Sequence, residues 1–490
     1  MSACATLEQR FKRLADLGGA AAVLNWDQAV MMPKGGNAAR GEQLAALGGV
    51  MHEILVAPET REVLEAAESE PLDPWRRANL VLIRRRLERA TALPQDLVEA
   101  TARATNACEM AWREARAASD YATFRPKLEE VLRLTREAAR LQGERLGLAP
   151  YAALLDGFQP GLDEATIDSL FAPLGERLPG LIDDALARQQ PAVPPRGPFP
   201  VERQRALALE LMARLGFDFD HGRLDESVHP FCGGTPTDIR ITTRYDENEI
   251  VSAIMGVLHE TGHALYEAGL PEAWRHQPVG EAHGMAIHES QSLLIEMQAC
   301  RSPAFLGFLA ARLAETFGAQ SALGPDNLVR HYRTVKKGLI RVDADELTYP
   351  LHIVLRYRLE KALVAGDLDL RDLPAAWSDG MADLLGIRPP DDRRGCLQDI
   401  HWPVGAFGYF PNYTLGALLA AQLFAAARSA IPDLLQKIAR SDFAPLLAWL
   451  RTHVHEKASS LPLQKLIEEA TGQELAADAF LAHVRERYGG

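Results

Sequence analysis

His259-Glu260-Thr261-Gly262-His263 sets two imidazoles four residues apart, with a carboxylate beside the first. On a helix, side chains at i and i+4 share one face, one turn apart. Both rings can then reach one divalent ion, and Glu260 can reach a water held by that ion. This is the chemistry of a metallohydrolase, in the first place a peptidase. Zinc would lower the water's pKa from about 15.7 toward about 7, and Glu260 would take the proton as general base. The bland alternative is two histidines on a buried helix face, satisfied by backbone or carboxylate partners. A purely structural zinc site has no need of a base and closes its fourth position with a protein ligand, so Glu260 argues for catalysis.

The elements must supply the rest. Val251, Ile254, Met255, Leu258 and Leu265 recur at helical spacing, which predicts a helix over 251–267 with an apolar stripe beside the histidines. A catalytic zinc needs a third protein ligand and one open position. Tetrahedral geometry brings that ligand from another element. A third histidine six residues on, with a glycine midway, is excluded because Gly269 and Tyr266 stand there. A glutamate nineteen residues on, the usual aminopeptidase place, is excluded by Ala282. A second helical pattern begins at Met285, after the breaker-rich stretch 269–284, and carries Glu289 and Glu296. Glu289 is the chosen ligand. Glu281 in the loop and Glu267 on the first helix rank below it, and Glu296 reads as a supporting or solvent-facing carboxylate.

With His288-Glu289-Ser290-Gln291-Ser292 following His259 to Glu267, the chain resembles the carboxypeptidase Taq family of zinc metallocarboxypeptidases. Further segments agree in order along the chain: Trp26-Asp27, Met32-Pro33, His229-Pro230-Phe231, Asp238 to Thr242, Ile340 to Asp345 and Gly395 to Trp402. The resemblance implies a large, mostly α-helical metallopeptidase with a small β-sheet beside the active-site cleft. It implies release of single amino acids from peptide C-termini, with His259, His263 and Glu289 on Zn2+ (or Co2+) and Glu260 as base. It also implies a homodimer. Arg341 is the leading candidate to grip the substrate's free α-carboxylate through paired hydrogen bonds. Arg240 would assist or shape the cleft, and His229 would close its far end. His401 or Tyr413 would donate to the developing oxyanion, with Tyr409 lining the cleft. For the arginines the plain alternative is pairing with Asp345, Glu346 or Asp238. The nearest rival activity is an oligoendopeptidase, which would lack the carboxylate-binding arginine.

Bulk properties agree. The chain has 490 residues, 47% hydrophobic, enough for a large core. We expect one helical domain over 1–490, with lobes 1–190 and 201–490 around the cleft and the proline-rich 191–200 as linker. The net charge of −13, with no long basic run, speaks against nucleic acid. Five cysteines without short paired spacing suit a reducing compartment, and no secretory leader or membrane span is read, so a cytoplasmic protein acting on peptides is expected. Helical periodicity is long over 44–55, 74–90, 97–119, 124–147 and 201–215, and 414–427 reads as a buried helix. The one strand-like run is Asp238–Tyr245, whose edge could pair with an extended substrate, or which could be a small structural hairpin.

Overall fold

Helix starts follow local chemistry. Asp73, Asp120 and Asp163 each accept a hydrogen bond from the backbone N–H three residues on, satisfying donors that a helix start leaves free. Prolines occupy first-turn positions of several helices, where a missing N–H costs nothing. The computed structural model describes residues 2–489. An N-terminal layer holds α1 (Ala3–Val30), α2 (Asn37–Val56), α3 (Pro58–Glu68) and α4 (Pro74–Ala92). There follow α5 (Gln95–Ala118), α6 (Tyr121–Leu146), α7 (Pro150–Phe158), α8 (Glu164–Arg188) and α9 (Val201–Leu215). Three short strands come next: β1 (Gly222–Glu226), β2 (Phe231–Thr235) and β3 (Asp238–Thr243). Helices α10 (Val251–Ala268) and α11 (Met285–Leu293) succeed them, and α11 continues as a π-helical segment, Leu294–Cys300. The chain ends with α12 (Pro303–Phe317), α13 (Pro325–Tyr332), α14 (Tyr349–Ala365), α15 (Leu373–Leu385), α16 (Pro411–Ala430), α17 (Leu434–Ile438), α18 (Ala444–His453), α19 (Leu463–Thr471) and α20 (Asp478–Tyr488).

The large core runs from Cys108 on α5 to Val484 on α20. A separate small cluster joins Leu7 and Phe11 of α1 to Leu64 of α3 and to Leu80, Ile83 and Leu87 of α4. The sheet lays Leu224, Ile239 and Ile241 against Val257 and Ala264 of α10. Trp26 of α1 lies under two guanidiniums, Arg240 at 4.2 Å and Arg223 at 5.0 Å, which fastens the N-terminal layer to the sheet. All five cysteines are free. No helix among the described residues is long and apolar enough to cross a membrane.

Two expectations change. The order of the sheet is β1-β3-β2, with β1 parallel and β2 antiparallel to β3. β3 is therefore the central strand, and neither of its edges can take an added substrate strand. Only β1 and β2 have an outer edge. The proline-rich stretch is strapped down at several points: Val193 N–H to Asn327 (2.8 Å), Arg196 N–H to Gln320 (3.1 Å) and Phe199 N–H to Glu247 O (2.7 Å), with Phe199 fully buried. Prolines marked the absence of helix there correctly, but tertiary hydrogen bonds hold the segment to the body.

Candidate metal centre

α10 carries His259, Glu260 and His263, and α11 crosses it closely with Glu289. Glycines permit two close approaches to α11, one by α10 and one by α16. A Cβ at Gly262 would lie 2.7 Å from Gln291 O and from Ser292 Cα, the backbone of α11. A Cβ at Gly416 on α16 would lie 2.6 Å from Glu289 Cγ and 2.8 Å from its Cβ. Glu289 is thus held between two helices by the absence of side chains. Gly416→Ala should cost about 1–3 kcal/mol by overpacking. It should also weaken metal binding about tenfold or more, because the methyl displaces Glu289 near its backbone. Thermal melts and metal titration check this, and unchanged values for both would show that the helices yield freely.

One atom each of His259, His263 and Glu289 fits within 4.8 Å of the others. His263 Nε2 is 3.5 Å and His259 Nε2 3.9 Å from Glu289 Oε2. Tetrahedral zinc with bonds of about 2.0–2.1 Å sets its ligands about 3.3 Å apart, so the trio needs only slight contraction to hold such an ion. The far nitrogens are also engaged. His259 Nδ1 meets Glu296 Oε2 at 2.9 Å. His263 Nδ1 meets His288 Nδ1 at 2.7 Å, and His288 Nε2 meets Glu267 Oε1 at 2.9 Å. Each imidazole is therefore oriented by a relay ending in a carboxylate, which leaves Nε2 as the free donor atom. Glu267, ranked below Glu289 as a ligand from the sequence, and Glu296, read there as a supporting or solvent-facing carboxylate, both stand behind the imidazoles. Arg301 Nη2 holds the other oxygen of Glu296 at 2.5 Å.

The electrostatics call for a cation. Burial, with His288 and His259 nearby, lowers the pKa of His263 and keeps it a neutral donor. Burial also works against charge on His259, yet Glu296, Glu289 and Glu260 hold its pKa up at about 10. Burial pushes Glu289 up, with His259 opposing. Glu260 is pushed up to about 7, by burial first and by Glu289 and Glu296 next, with His259 opposing. Three crowded carboxylates around two imidazoles suit a divalent ion, and a carboxyl near 7 suits a general base at neutral pH.

A cavity of about 290 Å3 opens against His259 and Glu289, lined also by Met297, Tyr349, Tyr413 and Phe480. Tyr413 hydroxyl lies 3.2 Å from His401 Nε2, and Tyr409 packs on Tyr413 at 5.3 Å between ring centres. Burial, then Arg341 and Arg356, lower the His401 pKa to about 4 against the pull of Asp399, so the ring is neutral. Tyr349, Tyr413, Tyr409 and His401 pack into one wall, with Tyr413 lining the cavity and His401 behind it.

Arg341 is only 6% exposed. Its Nε and Nη2 meet Asp399 Oδ1 at 2.9 Å, and Nη1 meets Tyr349 hydroxyl at 2.8 Å. Asp399 also binds Arg356 Nη2 at 2.6 Å. The partner is thus neither Asp345 nor Glu346, and two guanidiniums share one carboxylate. Gln398 accepts from Arg341 N–H at 2.9 Å, so the segment 395–402 brackets this arginine. Arg240, by contrast, pairs with Asp238 (3.0 and 2.8 Å) and stacks on Trp26, the plain alternative weighed for it. His229 is exposed in the β1–β2 connection, where its carbonyl accepts from Ser227 Oγ at 2.6 Å. Among the described residues no hydrogen bond or ion pair joins its ring to the metal trio. Sequence reasoning missed Tyr349 and Arg301. Neither sits in a spacing that marks it, since each reaches the site through long-range packing.

Comparisons with known proteins point to one family. The family model described as carboxypeptidase Taq (M32) metallopeptidase matches residues 6–488. Thermostable carboxypeptidase 1 of Thermus thermophilus is 41% identical over 491 residues, covering 97% of this chain and 95% of that protein. Metallocarboxypeptidase 1 of Trypanosoma cruzi superposes with a TM-score of 0.98 at 40% identity, over 100% of this chain and 99% of that one. The M32 carboxypeptidase of Deinococcus radiodurans gives 0.94 at 36% identity, over 99% and 98%.

Proposed function

The chain belongs to the carboxypeptidase Taq (M32) family and is a metallocarboxypeptidase acting on peptides, and from that premise we propose that Zn2+ on His259, His263 and Glu289 is its working ion and Glu260 its general base. The observation that carries the reading is the convergence of those three ligand atoms within 4.8 Å beside a glutamate poised near neutrality. When bound, the ion supplies Lewis acidity toward the scissile carbonyl and toward water. Glu260 takes the water's proton and passes it to the leaving amine. Glu296 and the His288–Glu267 relay hold both imidazoles in the tautomer that offers Nε2. Tyr413 faces the cavity and donates to the oxyanion, with His401 as the Nε2–H tautomer leaving the tyrosine proton free. Tyr409 lines the wall.

Arg341 is our choice for the substrate's terminal carboxylate. Arg341, Arg356 and Asp399 together leave one positive charge uncompensated, at the foot of the Tyr349–Tyr413 wall. Arg301, which lines the cavity itself, is already neutralised by Glu296. Arg240 and His229 keep at most a shaping role in the cleft. The cavity beside the ion would receive the side chain of the released residue, against a lining that mixes Met297, Ala417, Ala420 and Phe480 with Arg301 and Glu346. One catalytic domain over the whole chain, homodimer assembly and a cytoplasmic location, expected with the family, complete the reading.

Removing one partner of such a buried charged contact costs about 2–5 kcal/mol, or roughly 30- to 4,000-fold. Arg341→Gln should therefore lose that much in kcat/KM on a free-acid peptide and only a few-fold on the same peptide amidated. The wild-type preference for the free acid should collapse. Equal losses on both substrates would remove Arg341 from carboxylate recognition.

A further inference from the structure

Helix α20 lies in the last part of the chain, far in sequence from the metal trio and Arg341, yet one of its faces meets both halves of the site. Glu346 is a buried carboxylate in the turn between Arg341 and Tyr349. Three groups gather on it, all from α20: Arg487 Nη1 at 2.8 Å, His483 Nε2 at 2.9 Å and Tyr488 hydroxyl at 3.0 Å. The same Arg487 sends Nη2 to Met297 O at 2.6 Å. Met297 is the residue after Glu296, in the π-helical segment. A continuing π-turn would aim Ser302 N–H at that carbonyl, but Ser302 N–H goes to Ala299 O at 3.3 Å, and the guanidinium supplies a donor instead.

One forked side chain, 8% exposed, therefore ties the backbone beside the His259 partner to the turn beside the carboxylate-binding corner. Arg301 stands between them, bound to Glu296, and lines the metal-side cavity together with Glu346 and Phe480. A planar guanidinium can hold two acceptors at fixed directions, and an ammonium cannot.

We propose that α20 is a working part of the metal centre and that Arg487 is a positioning residue, which fixes the Glu296 segment and so sets how tightly the ion is held. This rests on the ligand set proposed above. Partners outside the ligand set typically change metal affinity by about 10- to 100-fold.

The test uses the full chain and Zn2+ alone, with Kd read by competition against a chelator and folding read by thermal melts of the apoprotein. Arg487→Lys keeps a positive charge for Glu346 but loses the fork, and should raise Kd about tenfold. The double variant Glu346→Gln, Arg487→Met removes the buried charge pair together and should raise Kd about 10- to 100-fold. Arg485→Ala, on the exposed face of α20, should leave Kd unchanged. Wild-type Kd in both Arg487 variants, with only a lower melting temperature, would overturn the proposal. A second measurement needs no variant. Coupling is reciprocal, so Zn2+ must stabilise the docking of α20 if α20 stabilises Zn2+ binding. Amide exchange at residues 483–488 should therefore slow on loading the wild-type protein, and exchange that ignores Zn2+ would equally overturn the idea. Failure of the ligand set itself would look different: Glu289→Ala would then bind Zn2+ as the wild type does.

Discussion

Glu260→Gln should leave the metal in place and lower kcat/KM by about two to four orders of magnitude. The two side chains have nearly the same shape, so the packing of α10 on α11 is kept. What disappears is the ability to take a proton from water and return it to the amine, a contribution of about 10²- to 10⁴-fold in enzymes of many kinds. Metal content near one ion per chain, measured beside peptide hydrolysis, would show that the loss is chemical and not structural. The pH profile gives a second readout. Burial and the neighbouring carboxylates hold the Glu260 pKa up to about 7 in the metal-free protein. The base works only when deprotonated, so activity falls as pH drops through its pKa. A divalent cation beside it favours the carboxylate, and the acid limb of kcat/KM should therefore lie at or below about 7. Residual hydrolysis by the Gln variant should lack that limb. A variant that still cleaved at the wild-type rate would end the proposed role of Glu260.

Glu289→Ala should abolish tight metal binding altogether. Two imidazoles from one helix remain, and a tetrahedral ion is left with two of its three protein ligands. Affinity should drop by more than the 10- to 100-fold that an outer partner costs. Glu296→Gln, which touches only His259 Nδ1 and Arg301, should stay inside that range. A ligand that binds only the folded state raises stability by RT ln(1 + [L]/Kd). Added Zn2+ should thus raise the melting temperature of the wild type, raise it less for Glu296→Gln, and leave Glu289→Ala unmoved. A Glu289→Ala protein that purified with a full complement of ion would show that the third donor comes from elsewhere.

Several elements were legible because they depend on near neighbours. The expected helices over 74–90, 97–119 and 201–215 correspond to Pro74–Ala92, Gln95–Ala118 and Val201–Leu215, since apolar periodicity and caps act within a turn or two. The buried helix read at 414–427 lies inside Pro411–Ala430. β3 was legible as a strand but not as the centre of its sheet, because alternation reports local exposure and says nothing of which strands pair on each side. Arg240 and Asp238, two residues apart on one face of a strand, could be foreseen as a pair. The partner of Arg341 could not, because Asp399 lies 58 positions away.

By itself, the order of residues determined the helical periodicity, and with it the placement of His259, Glu260 and His263 on one surface, since 3.6 residues per turn is a property of the backbone. It also singled out Glu289 as an acid on the next helix. Only the tertiary structure decided that Gly262 and Gly416 let α10 and α16 close on α11, that Glu296 and Glu267 stand behind the imidazoles, and that Arg487 of α20 joins Met297 O to Glu346. Those contacts join positions tens to hundreds of residues apart, and their geometry follows from how the whole core packs, which no local pattern encodes.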